Sequence, residues 1–355
     1  MPITKTSLVS CVKVKVGKDP KLVFKAVAQA MKLAHWEKYV KGRNIVLKVN
    51  VVWDKLYPSC TTTPMVIEGV IKTLLQKFPN AKITIVDTDT PGIMHAHYSF
   101  RNLGINYMAK KYGIKTVNLT NTSFRTVNLN GEKLKKFKVS KVLLDADTII
   151  TIPVMKTHSI STVSLSLKNQ WGCIHDLRHN FHLYLAKAIG DVNNFYKKKV
   201  SFVVMDGLFG MEGKGPKNGK PVKVGFIFAS PDRVALDTLV AQSMGFDPQK
   251  VDHITHCQNL KIGTMNYKIV GSKPPKMKFA SPHDFQLTFW VEMFLRKLGP
   301  FYEKLFFQTN ILYPLRLAAR VYNDIWYYFI GSKNKDRMMK TDFGQMWQEY
   351  LNNAS

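Results

Sequence analysis

The stretch from Thr148 to Val154 (TIITIPV) is apolar and β-branched, and it predicts a buried strand. Pro153 marks its end, and Lys156, Thr157 and His158 follow at once. Lys168, Asn169 and Gly172 form a second polar cluster, with His175, His179 and His182 beyond it. In open α/β sheets, ligands bind outside the carboxyl ends of the strands. A strand that releases this many titratable groups is therefore the strongest site candidate in the sequence.

The rest of the chain supplies a sheet for that strand. Leu8 to Val16 alternates as a strand, and Pro20 opens an amphipathic helix that runs to about Trp36. Ile45 to Trp53 reads as a strand with Lys48 and Asn50 set into it. Pro64 starts the helix MVIEGVIKTLLQKF. Lys82 to Asp87 and Lys115 to Leu119 are further strands, with a helix around Arg101 to Tyr112 between them. Phe124 to Val139 predicts a hairpin turned at Asn130-Gly131. A helix follows around Leu183 to Tyr196, then a strand from Val200 to Met205 that ends at Asp206-Gly207. The Gly-rich segment after it has neither strand nor helix pattern. Val222 to Ala229 is a strand, and Ser230 starts a helix from Pro231 to Met244 that Gly245 closes. A short helix near Pro248 to Cys257 and a strand around Tyr267 to Val270 complete the pattern.

This alternation implies an α/β fold: a mostly parallel twisted sheet with flanking helices and a β-hairpin insertion. The α/β domain is expected over residues 1–272, with a linker at 273–282 that holds KPPKMK. Residues 283–355 read as a helical, aromatic-rich C-terminal extension whose tail from Ser332 is polar and frayed.

Charge narrows the partner. Fifty-two Lys and Arg against 24 Asp and Glu give a net charge of +28, which favours an anionic partner. No helix-turn-helix, zinc-finger or RNA-recognition signature is present, so nucleic acid is the weakest of the candidates. Four scattered cysteines without a CxxC pair argue for a reducing, cytoplasmic setting and against an iron–sulfur cluster held by this chain. No window of roughly 18 uninterrupted apolar residues predicts a spanning helix.

Lys156, His158 and Lys168 are the candidate catalytic residues, with Thr157 and Asn169 beside them. Two ammonium groups and an imidazole suit an anion or a developing oxyanion, and a lysine desolvated beside a second cation can lose its proton and act as base or nucleophile. The plain alternative is a set of solvated loop lysines. Lys48 and Asn50 are candidate ligand-binding residues on their strand. Thr61, Thr62 and Thr63 before Pro64 lie at a helix N-terminus, which suits phosphate or carboxylate as well as an ordinary cap. Gly213 and Gly215, within DGLFGMEGKGPKNG, offer backbone N–H groups to a ligand, although no Walker A or GxGxxG pattern is present. For a divalent metal, the candidate cofactor, the available ligands are Asp206, Glu212 and Asp237, with His179 and His182 in a run spaced for one helix face.

Several of these motifs together resemble the domain of unknown function 362 family, α/β proteins found widely in bacteria and archaea. The resemblance covers roughly Val46 to Gly271. It rests on KVN at Lys48 to Asn50, TTTP at Thr61 to Pro64, the acid-ended strand at Asp87, PVMKTH at Pro153 to His158 and SLKNQWG at Ser166 to Gly172. A later histidine (His179 or His182), MDGLFGMEGKGPKNGKP at Met205 to Pro221 and SPDRVALDTLVAQSMG at Ser230 to Gly245 complete it. The resemblance implies a fold and a pocket rather than a reaction. Many members carry ferredoxin-like cysteine motifs; this chain has none, so that property is not carried over.

Three functions follow as expectations. The first is an enzyme or binding protein for a phosphorylated or carboxylated small molecule, with Lys48, Lys156 and Lys168 holding the anion and His158 moving a proton. The second is a protein peripheral to the inner face of the membrane, using its basic aromatic C-terminal helices on an anionic lipid surface. The same helices are also candidates for a homo-oligomer interface. The third is nucleic-acid binding, on charge alone.

Overall fold

A computed structural model describes residues 6–90, 93–175, 178–282 and 309–354, together with 294, 297–299, 301, 302 and 305. At 179, 180, 183, 312 and 315 it describes the backbone alone. In chain order the elements are β1 (Ser7–Lys13), α1 (Lys21–Leu33), β2 (Asn44–Lys48), α2 (Pro64–Lys77), β3 (Lys82–Asp87), α3 (Ala96–Asn102), α4 (Ile105–Lys111) and β4 (Lys115–Asn118). The hairpin β5 (Phe124–Asn128) and β6 (Lys136–Ser140) leads through α5 (Lys141–Leu144) into β7 (Thr148–Thr151), β8 (Val154–His158) and β9 (Thr162–Val163). Then come α6 (Leu165–Asn169), α7 (Leu185–Phe195), β10 (Val200–Glu212), β11 (Lys220–Ser230), α8 (Arg233–Met244), α9 (Asp252–Asn259) and β12 (Tyr267–Gly271).

Ten strands form one sheet in the order β12-β1-β11-β10-β7-β2-β3-β4, with β8 beside β10 and β9 on β8. The run β10-β7-β2-β3-β4 is parallel throughout, while β11 is antiparallel to both β10 and β1. This is the expected mostly parallel sheet, with the expected hairpin paired apart from it.

Alternation along the strands separates two cores. Ile45 and Leu47 of β2 point into the core that holds α1, α2 and α4, and Val46 points into the one that holds α7 and α8. Ile150 and Ile149 of β7 divide in the same way. A period of two allows nothing else once both faces are covered.

Some boundaries differ from the expectations, each for a physical reason. Pro153 does not end the strand. It interrupts the ladder because it has no N–H, but its carbonyl accepts from Asp206 N at 2.9 Å, and the chain continues extended as β8 against the far half of β10. Lys156, Thr157 and His158 are thus buried strand residues rather than loop residues. The Gly-rich segment is likewise strand as far as Glu212, paired with β11 from Lys220 onward. Its glycines mark close approach: a Cβ at Gly207 would stand 2.7 Å from the Phe226 carbonyl oxygen, and one at Gly210 2.6 Å from the Phe279 ring.

The strand expected over Ile45 to Trp53 leaves the ladder after Lys48, with Val51 forming a single bridge to Thr61. The helix expected around Arg101 to Tyr112 splits at Gly104, whose φ is 77°. Asp232, not Ser230, caps α8, accepting from Val234 N and Ala235 N, and Gly245 closes it as expected at φ 93°.

The stretch expected as a linker is fastened down. Met277 N and Phe279 N donate to the carbonyls of Ser243 and Met244, and Ala280 N donates to the Glu212 carboxylate at 3.1 Å. The tail is not frayed. Ser332–Met339 and Asp342–Asn352 are helices, and Met338, Met339, Phe343, Met346, Trp347 and Tyr350 are buried in the core shared with α1, α2 and α4. Tail polarity describes the outer side of these helices only.

Candidate functional site

Because β2, β3, β7 and β10 run parallel, their carboxyl ends open on one side of the sheet. Lys48 ends β2, with Val86 and Thr151 as its register partners, and Asp87 ends β3. β8 brings Lys156 alongside Met211 of β10. The helix α6 packs over these ends and adds Lys168 and Asn169.

The side chains form one buried network. Lys48 Nζ pairs with Asp87 Oδ1 at 2.8 Å and donates to Val49 O at 2.6 Å. Asp87 also accepts from Val51 N at 2.7 Å and Thr88 N at 2.8 Å. Asn169 Nδ2 donates to Thr151 Oγ1 at 2.8 Å, and its Oδ1 accepts from Asn50 Nδ2 at 3.1 Å. Asn50 Oδ1 in turn accepts from Lys156 Nζ at 2.5 Å, and Lys156 also donates to Cys60 O at 2.8 Å. Gly172 is needed here, since a Cβ would stand 2.7 Å from Lys48 Nζ and 2.9 Å from Asp87 Oδ1.

Above this network lies a cavity of about 60 Å³. Its wall includes Lys48, Lys156, Lys168 and Arg178, with Asp87 the only carboxylate among the described residues that line it. Asn50, His158, Asn169, Trp171 and Pro216 also face it. Such a volume holds a few waters or one phosphate- or carboxylate-sized group. A wider groove of about 210 Å³ lies elsewhere, beside α1, α4 and the last helix. Its Glu68 is already engaged by Lys111 at 3.0 Å and by the hydroxyls of Tyr112 and Tyr350.

The cations of the cavity differ in chemistry. Burial pushes Lys156 down to about 8, but its two acceptors hold its proton in place. Burial, and then the nearby Lys156 and Arg178, push Lys168 down to about 7. Lys168 Nζ has no hydrogen-bond acceptor among the described residues, so it is the amine able to bind an anion when charged or to act as a base when neutral. Burial holds His158 well below the usual imidazole range. His158 Nδ1 accepts from Ile160 N at 3.2 Å, which leaves the proton of the neutral ring on Nε2 and makes the ring a donor. Trp171 Nε1 and Thr90 Oγ1, also in the wall, are buried without partners among the described residues.

The other expected site residues are not among the described residues that line the cavity. Thr61, Thr62 and Thr63 do not line the cavity. Thr62 Oγ1 accepts from Asn50 N at 3.0 Å and donates to Ile152 O at 2.8 Å, positioning Asn50 from behind. Thr157 Oγ1 donates to the carbonyls of Met211 and Gly213. The glycine loop reaches the cavity through Pro216 rather than through Gly213 or Gly215.

The three metal-candidate carboxylates are taken up separately. Asp206 accepts from Thr63 N and Leu208 N, Asp237 from Ser166 N, Ser166 Oγ and Leu167 N, and Glu212 from Ala280 N. Burial raises Asp206 to about 6 and Asp237 to about 7. The histidine run is not one helix face: His175 N donates to Lys138 O and its ring packs on Phe124, ahead of the 3₁₀ turn that carries His182. The His179 side chain lies outside the described residues. Among the described residues no group of three or more His, Cys, Asp or Glu is placed to hold a metal ion.

Sequence reasoning missed Arg178, which donates to Trp171 O and to Asp89 O beside the cavity. Its signal was an arginine within the histidine-rich run.

Gly215 sets the position of Pro216. A Cβ there would stand 2.1 Å from the Thr157 carbonyl oxygen, whereas one at Gly213 meets nothing within 4 Å, although Gly213 has φ +72°. Gly215→Ala is therefore expected to destabilise by about 1–3 kcal/mol through overpacking and to shift Pro216 out of the cavity wall. Gly213→Ala is expected to cost about 1–2 kcal/mol of backbone strain and leave the wall intact. Urea melts of both variants, with anion titration, check this; equal anion binding by the two would refute it.

Comparison with known proteins places these features in a family. A family model described as Domain of unknown function (DUF362) matches residues 45–242. A protein of Synechocystis sp. named as thylakoid-associated is 26% identical over 220 residues, which are 59% of this chain and 65% of that protein. The chain thus matches less than two thirds of that relative's length. The lactate racemase apoprotein of Thermoanaerobacterium thermosaccharolyticum aligns over 73% of this chain and 58% of its own, at 13% identity and a TM-score of 0.40.

Proposed function

This chain belongs to the Domain of unknown function (DUF362) family, and we propose that it binds, and as an enzyme transforms, a small molecule with a phosphate or carboxylate group. The observation that carries this reading is the cavity wall, where Lys48, Lys156, Lys168 and Arg178 face Asp87 alone among the described lining residues. Three of these cations are already committed: Lys48 to Asp87, Lys156 to Asn50 and Cys60, Arg178 to two carbonyls. Lys168 is left to meet the ligand, with Trp171 Nε1 and the His158 ring as neutral donors. Once the Lys168 amine loses its proton, which a pKa of about 7 permits near neutral pH, it stands beside the ligand for proton transfer at an adjacent carbon or for attack on an adjacent carbonyl. A cytoplasmic setting accords with four cysteines that are free and buried.

Titration calorimetry with inorganic phosphate and with malonate tests the reading. Saturable binding is expected, and Lys168→Ala should weaken it about tenfold or more, since a charged hydrogen bond is worth about 1.5–3 kcal/mol. Binding should be tightest where Lys168 carries its proton and should fall as pH rises through about 7. An affinity that is indifferent both to this substitution and to pH would sink the proposal.

A further inference from the structure

The helix Tyr313–Trp326 and the π-helical turn Tyr327–Gly331 are mounted with their apolar side outward. Leu317, Val321, Ile325, Tyr328 and Phe329 recur at helical spacing and are 46–73% exposed. Tyr313 and Tyr322, also exposed, flank them. The inward side is the polar one. Arg320 donates to both carboxylate oxygens of Asp54, at 2.9 and 3.2 Å, and to Ile93 O at 3.3 Å, and it pairs with Asp324 at 3.0 Å. Tyr327 OH donates to Leu56 O at 3.0 Å, and the rings of Trp326 and Tyr327 pack on Trp53 and Tyr57.

A surface helix of a globular protein turns its apolar stripe to the core. This one cannot rotate to do so, because its inward side is anchored by an arginine–aspartate pair and by two half-buried rings packed on the buried Trp53 and Tyr57. A contiguous exposed apolar face of this kind marks an interaction surface.

We infer that this face rests in the plane of an anionic lipid surface. This face is separate from the cavity and does not depend on what the cavity binds. Charge decides between a lipid and a second copy of the chain. A net charge of +28 opposes self-association, and the same charge draws the chain to anionic headgroups. Tyrosines at the margin of the stripe place an apolar ring against acyl chains and a hydroxyl at the headgroups. Among the described residues no helix is long and apolar enough to cross a membrane, so the contact is in-plane.

Co-sedimentation of the full chain with phosphatidylcholine vesicles, with and without phosphatidylglycerol, tests it. The wild type is expected to pellet with the anionic vesicles and to be released by salt. The double variant Val321→Asp/Ile325→Asp should partition at least about tenfold less, from lost apolar burial. Both sites are exposed, so its thermal melt should match the wild type. The inference fails if the wild type stays in the supernatant, or if the double variant pellets equally. It also fails if light scattering shows a wild-type dimer that the substitutions dissolve while vesicles bind neither form, since the face would then belong to a second copy.

Discussion

Asp87→Ala is expected to destabilise the protein by about 3–5 kcal/mol, the range for removing one partner of a buried ion pair. The reason lies in what is stranded. Lys48 is 1% exposed and sits 2.8 Å from Asp87, so its ammonium would be left in the interior without a counter-charge. Val51 N and Thr88 N would lose their acceptor as well. The companion experiment separates charge from packing. Adding Lys48→Met to Asp87→Ala removes the stranded ammonium, so the double variant should be less destabilised than Asp87→Ala alone. Urea unfolding of the wild type and the two variants measures this. A loss below about 1 kcal/mol for Asp87→Ala, the value of a surface pair, would show that the network does not organise the strand ends.

Trp347→Ala carries the second large effect, also about 3–5 kcal/mol, the usual cost of truncating a buried aromatic. Trp347 is fully buried, and its Nε1 donates to Leu103 O at 3.2 Å. Three residues further on, the Tyr350 hydroxyl reaches the buried Glu68 of α2. Trp347→Phe keeps most of the volume and loses the hydrogen bond, so a cost nearer about 1 kcal/mol is expected from that term. If the last helix is an integral part of the core, thermal unfolding of Trp347→Ala stays a single transition at lower temperature. A separate early transition, with the main one unmoved, would make the helix an appendage.

Much of the scaffold was legible because local signals agreed with the fold. Pro64 at the first helical position, the apolar period behind it and the alternation of Lys82 to Asp87 each name their element. The hairpin is where expected, but its turn is the longer loop from Leu129 to Lys135, gathered on the Asp191 carboxylate, rather than a tight turn at Asn130-Gly131. The candidate cavity was legible in part. Lys48, Asn50, Lys156, His158, Lys168 and Asn169 were all singled out, and all face it. The threonines before Pro64 were singled out for their place at a helix start, and that place also suits an ordinary scaffold role: Thr62 is turned to the backbone of Asn50 and Ile152. Arg178 was passed over because no spacing rule ties it to Asp89, far upstream in the chain.

By itself the sequence determined the period of each segment, the polar residues at the strand ends and the excess of positive charge, since these are properties of neighbours along the chain. Only the tertiary structure decided that Lys48 meets Asp87, that Asp206 and Asp237 go to backbone donors, and that Lys168 keeps no acceptor among the described residues. It also decided that Trp347 faces inward while Val321 and Ile325 face out. Each depends on which strand lies beside which and on how each helix is rolled about its axis. Burial then determines which polar groups find partners and which are left for a ligand.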